Sequence, residues 1–100
     1  MLVIAGTIPI KPDQHDAAVA AAVAVQNGTR QEPGNHQYQF SFAADDPNLI
    51  CIFEEWEDEE SLANHFTLPH IAEFRTAFAS VSAGPGNFAK YQVSSVGPVF

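Results

Sequence analysis

One hundred residues make one domain's worth of chain, read as a single unit over residues 1–100, with burial limited to about two-thirds of the unfolded surface. An apolar fraction of 46% with eight Phe argues for a folded globule rather than a disordered segment. Four basic residues against twelve acidic, a net charge of −8, leave no basic face for nucleic acid and would be repelled by an anionic membrane surface.

The N-terminus lacks the basic region that would mark a signal peptide. Leu2 to Ile10 reads as a strand, with Leu2, Ile4, Ile8 and Ile10 on one face and Pro9 marking an edge or a bulge. Pro12 and the acids Asp13 and Asp16 open a helix, since proline suits the first turn and the helix dipole favours negative charge there. The alanine-rich run continues it to Val25, with Val19, Ala22, Val23 and Gln26 on one stripe; Asn27-Gly28 is the stop, or the helix runs on towards Arg30. Its longest apolar stretch, Ala17 to Val25, is about half of what spans a bilayer.

Glu32-Pro-Gly-Asn35 is a turn by composition. His36 to Phe42 then alternates, with His36, Tyr38, Phe40 and Phe42 facing one way and Gln37, Gln39 and Ser41 the other. A loop over 44–48 leads to a third strand, Leu49 to Glu57, apolar on both faces at its start and so central or covered on both sides. Cys51 lies in it. It is the single cysteine, so no internal disulfide forms; it reads as a small core residue, and a reducing cytoplasm is the expected compartment.

Asp58 is a good N-cap for a helix whose inward stripe is Leu62, His65 and Phe66. Thr67-Leu-Pro69 breaks it, and His70 to Val81 restarts it with Ile71, Phe74, Phe78 and Val81 at helical spacing. A last strand runs from Phe88 to Val96, followed by an apolar tail suited to docking on a partner chain. The order βαββαβ is the ferredoxin-like α+β pattern: a four-stranded antiparallel sheet with helices on one face. Its other face stays partly apolar and calls for a cover. A second copy packed sheet to sheet would supply one, giving a homodimer through the open face.

Metal-ligand patterns are missing. His65 and His70 stand five apart and share no helical face, and neither HxxxH, CxxC nor HExxH occurs, so no metal is expected. Gly84-Pro-Gly86 precedes a strand and cannot cradle phosphate as a glycine-rich loop ahead of a helix does. Nucleotide and flavin fingerprints and a nucleophile elbow are also missing, so no cofactor is expected. What remains is a histidine-and-aromatic pocket. Tyr38, Trp56, Phe66 and Phe74 would wall a flat apolar cavity, with His70 beside it and His65 as a base titrating near neutral pH. The plainer alternative makes His65 a core histidine bonded to a carbonyl or carboxylate. His70 would then cap a helix or pair with Glu73.

Glu32-Pro-Gly34, Tyr38, Asp46-Pro47, Glu54-Glu-Trp-Glu-Asp-Glu-Glu-Ser-Leu62, His65-Phe66 and Pro69-His70 together resemble the antibiotic biosynthesis monooxygenase family, including its quinol monooxygenase branch. The resemblance spans nearly the whole chain. It implies a homodimer whose sheets pair into a barrel. It also implies oxidation of a small phenolic, anthrone-like or quinol substrate by O2 without flavin, haem or metal. Carried over residue by residue, it points to Trp56 with Asn64 or His65 as catalytic groups and Tyr38 as a proton donor. Haem-degrading relatives carry Asn on the first strand; Ile4-Ala-Gly-Thr7 has none, which disfavours haem degradation. His36 stands where an apolar residue is expected. An isomerase or cyclase using the same base, and a non-catalytic binding or stress-response barrel, are the competing readings.

Overall fold

The computed structural model describes every residue from Met1 to Phe100. Strand β1 (Leu2–Pro9) leads through a single 3-10 turn at Pro12–Gln14 into α1 (His15–Thr29). Then come β2 (Asn35–Ala43), β3 (Asp46–Trp56), α2 (Glu59–His65), α3 (Pro69–Val81) and β4 (Asn87–Gln92). The sheet order is β2-β3-β1-β4 and every neighbouring pair is antiparallel. This is the expected α+β ferredoxin-like sheet.

Period-two alternation divides the sheet into two faces. Ile50, Ile52, Glu54 and Trp56 of β3 turn towards the helices, beside Leu2, Ile8 and Ile10 of the first strand region and Tyr38 and Phe40 of β2. Helix α1 seals them with Ala18, Ala22, Val25 and Thr29. Of the expected stripe Ala22 is buried, but Val19 and Val23 are 37% and 47% exposed: the helix is rotated so that Ala18, Val25 and Thr29 face inward instead. Of the two expected ends it takes the later one, running past Asn27-Gly28 to Thr29 with Arg30 as its C-cap. Gly28 stays helical and serves instead as a space for the His70 ring, which a Cβ would approach to 2.7 Å.

Boundaries shift at both ends of the sheet. Strand β3 begins at Asp46, since Asp46 Oδ1 accepts the Asn48 N–H and Ala43 pairs directly with Asp46. Strand β4 stops at Gln92, four residues earlier than expected, where β1 runs out at Leu2. Asp58 caps α2 as expected, its carboxylate accepting the Ser61 N–H at 2.8 Å. Phe66-Thr67-Leu68 separates α2 from α3, with Pro69 at the first position of α3.

Cys51 alternates to the open face, opposite Thr7 and Ser41, and is only partly buried rather than a core residue. That face also carries Val3, Ala5, Phe53, Ala89 and Tyr91, with Phe53 39% and Tyr91 54% exposed. No helix is long and apolar enough to cross a membrane.

Candidate active site

The site is assembled from a turn, two helix ends and the inner face of the sheet. Gly34 takes φ +84, open to glycine at little cost, and any Cβ there would collide with Ser61. The turn between α1 and β2 therefore packs tightly on the start of α2, and the Glu57 N–H donates to the Gly34 carbonyl at 2.8 Å. That contact drives the Glu32 side chain inward. Its Oε2 lies 2.7 Å from Nδ1 of His65, at the end of α2, and 2.6 Å from Nε2 of His70, in the first turn of α3.

As a carboxylate Glu32 can only accept, so both imidazoles donate to one oxygen. Neutral His65 then carries its lone pair on Nε2, which has no protein partner. Burial holds the His65 pKa below its ordinary value. The Glu32 bond and charge oppose this, and the His70 and Arg75 charges reinforce it. Glu32 Oε1 is buried without a partner.

A second carboxyl stands across from His65. Glu54 accepts the Trp56 indole N–H at 2.9 Å and is 9% exposed. Burial pushes its pKa up to about 7; the Trp56 bond pulls it down and the Glu32 charge pushes it up. Tyr38 is its ladder partner on β2. Burial, with the Glu54 charge next, raises the phenol beyond its ordinary range, so Tyr38 stays protonated. The His65 ring lies 5.6 Å from Tyr38 and 4.6 Å from Trp56.

Tyr38, Glu54 and His65 face a cavity of about 530 Å³ between the sheet and helices α2 and α3. The helices pack on β2 and β3, while all six residues of β4 are exposed, which leaves this space open along the β4 side. Tyr38, Glu54 and His65 are polar groups of its lining; Phe40, Ile52, Leu62, Ile71 and Phe74 form apolar walls. Phe66, Phe88, Arg75 and Lys90 make an exposed rim. The volume falls within the range of small-molecule sites.

His65, Tyr38, Phe66 and Phe74 thus meet in one cavity. Trp56 is fully buried beneath His65 and acts on the lining through Glu54 instead of touching the space itself. His70 sits behind His65, bonded to Glu32 rather than Glu73, and borders a smaller cleft against α1. Asn64 is exposed on α2; its backbone carbonyl accepts from Thr67, and its side chain does not join the cavity. Glu32, Glu54, Arg75 and Lys90 are additional site residues. The Glu54 signal was the inward phase of Ile50-Ile52-Glu54-Trp56; for Glu32 only its position beside the Pro-Gly turn hinted at a special place.

Ligand atoms of Glu32, His65 and His70 lie within 4.8 Å of one another, a donor set that zinc accepts in other proteins. Ligands around a tetrahedral zinc stand about 3.3 Å apart. The two short contacts to Oε2 are those of a hydrogen-bonded relay, and a cation would have to spread them.

The family model for antibiotic biosynthesis monooxygenase matches residues 1–77. This chain belongs to that family. The match contains the Glu32 turn, β2, β3, both histidines and Arg75. Among curated proteins, "Uncharacterized protein sll1783" of Synechocystis sp. is 29% identical over 93% of this chain, which spans only 63% of that protein's length. "Putative monooxygenase YcnE" of Bacillus subtilis is 23% identical over 94% of this chain and 99% of its own. A solved structure, "Putative antibiotic biosynthesis monooxygenase from Nitrosomonas europaea", superposes with a TM-score of 0.90 at 24% identity, covering 95% of this chain and all of the other. A Deinococcus radiodurans structure of the same description also gives 0.90, at 20% identity, over 100% of this chain and 99% of its own. At these identities the superpositions speak for the fold. A monooxygenase-family role follows from the family match.

Proposed function

We propose that the protein is a cofactor-independent monooxygenase that oxidises a small phenolic, quinol or anthrone-like compound with O2. The observation that carries this reading is His65 Nε2, a neutral imidazole nitrogen without a protein partner, set in an apolar cavity beside protonated Tyr38. His65 takes the proton of a ring hydroxyl, and Glu32 steadies the imidazolium that forms. The electron-rich ring anion then reduces O2 and bonds to it through carbon, giving a hydroperoxide on the ring. Loss of the proton from that carbon cleaves the O–O bond. One oxygen remains as a ring carbonyl and the other leaves as water, with the two hydrogens drawn from the hydroxyl and the carbon. Tyr38 donates to the developing oxyanion, and the apolar walls keep water away from the carbanion.

An oxygen electrode tests this with a panel of quinols and anthrones. Uptake by wild type and a roughly 100-fold or greater fall in His65→Ala is expected from the loss of a general base. Turnover unchanged in His65→Ala would remove the base assignment. Solvent-deuterium exchange into substrate with no oxygen uptake would instead favour an isomerase working through the same groups.

The open sheet face supports a homodimer. Val3, Ala5, Phe53, Ala89 and Tyr91 form an apolar patch there, with Gln37, Gln39 and Ser41 on the β2 side. Sedimentation at micromolar concentration is expected to give twice the chain mass, and Phe53→Asp to give a monomer. A wild-type monomer would contradict it.

A further inference from the structure

We infer that the rim of the cavity is a carboxylate subsite, with Arg75 as its anchor, so that the preferred ligand is an aromatic ring bearing one fixed negative charge. This rests on the cavity being the substrate site proposed above and adds the chemical class of what enters it. The chain has four cationic side chains against twelve carboxylates. Two of the four, Arg75 and Lys90, line this one cavity. The three cations other than Arg75 are occupied. Lys11 donates to the Ser80 carbonyl, Arg30 donates to the Tyr38 carbonyl and to Gln39, and Lys90 is paired with Glu59 at 2.8 Å. Arg75 alone has neither an ion pair nor a hydrogen bond, in a protein with a threefold excess of acids.

Its position suits a ligand. Arg75 projects from α3 on to the rim, where its guanidinium carbon lies 5.8 Å from the centre of the Phe66 ring. The aromatic face holds the planar head at the mouth and leaves its N–H edge open. Below it stand the apolar walls and then His65, Tyr38 and Glu54. A ring lying against Phe74 and Phe40 with its hydroxyl towards His65 would place a substituent on its far side at Arg75. One free guanidinium, with Lys90 already neutralised by Glu59, matches a monoanion. A planar carboxylate also fits the paired N–H groups of arginine.

The test compares two ligands with the same ring, 2,5-dihydroxybenzoate and its neutral methyl ester. Binding is measured by calorimetry under nitrogen, so that no turnover is needed. Wild type is expected to bind the acid about tenfold more tightly than the ester, the size of a charge-assisted bond at a partly exposed site. Arg75→Gln is expected to erase the preference, so that acid and ester bind it equally; Arg75→Lys should keep part of it. Raising salt should weaken the acid alone. Equal affinities in wild type, or a preference that persists in Arg75→Gln, would overturn the subsite. Because binding is read without oxygen, a preserved preference with no oxygen uptake would count against the monooxygenase reading only. Uptake with neutral quinols and no preference would count against the subsite only.

Discussion

Replacing Glu54 by Gln isolates the carboxyl whose pKa burial raises. The Gln side chain keeps an oxygen for the Trp56 N–H, so the hydrogen bond at 2.9 Å can persist while the charge cannot. Glu54 titrates near 7 in the folded protein against an ordinary 4.5. The folded state therefore holds the proton more tightly than the unfolded chain, and stability falls as pH rises through that interval. At 1.36 kcal/mol per pH unit, ionising Glu54 costs the folded state about 3 kcal/mol, fully felt above pH 7 and absent below 4.5. Urea unfolding of wild type and Glu54→Gln at fixed protein concentration, from pH 4.5 to 8.5, reads this as a difference. Contributions common to both proteins, including the opposite-signed one of His65, cancel. The stability of Glu54→Gln relative to wild type should rise by about 3 kcal/mol across the series. A difference that stays flat would refute the buried, proton-retaining Glu54 on which the site's electrostatics depend.

Other outcomes follow from the same contacts. Trp56→Phe removes the N–H that pulls the Glu54 pKa down, so the upper edge of the Glu54 window in the same unfolding series should move to higher pH. Glu32→Gln can present an amide N–H to His65 Nδ1 and hold the imidazole in the wrong tautomer; kcat for oxygen uptake should fall roughly 100-fold or more. His70→Ala leaves the His65–Glu32 bond in place and should cost much less in the same assay. Phe40→Ala opens a hole beneath the edge-on contacts with Phe74 and Phe78, and should lower unfolding stability by about 3–5 kcal/mol.

The parts of the fold that obey a strict period were legible in the sequence. Tyr38 to Phe42 alternates, Asp58 caps, and Ile71, Phe74, Phe78 and Val81 repeat at helical spacing; each lies where its period puts it. His36 does not: a register shift between Asn35 and Gln37 breaks the alternation, and its ring is exposed beside Glu55 at 3.2 Å. The α1 stripe was not legible, because in an alanine-rich helix nearly every face is apolar and periodicity does not choose between them. Cys51 was misplaced for a related reason: a strand apolar on both faces does not say which face the helices cover. In the site, His65 and Tyr38 stood out by residue type and phase, whereas Glu32 is brought to His65 from 33 residues away by a glycine turn, a closure no local pattern encodes. Asn64 neighbours His65 in sequence, yet one helical step rotates it into solvent. Arg75 gained meaning only once the partners of the other cations were known.

Oxygen-isotope transfer tests the central claim most directly. A quinol incubated with the flavin-free protein under ¹⁸O2 should yield a product with one labelled oxygen in a ring carbonyl and the other label in water. His65→Ala should give only the background of spontaneous oxidation. Unlabelled product, or label incorporated equally by wild type and His65→Ala, would contradict a monooxygenase built on the His65 cavity.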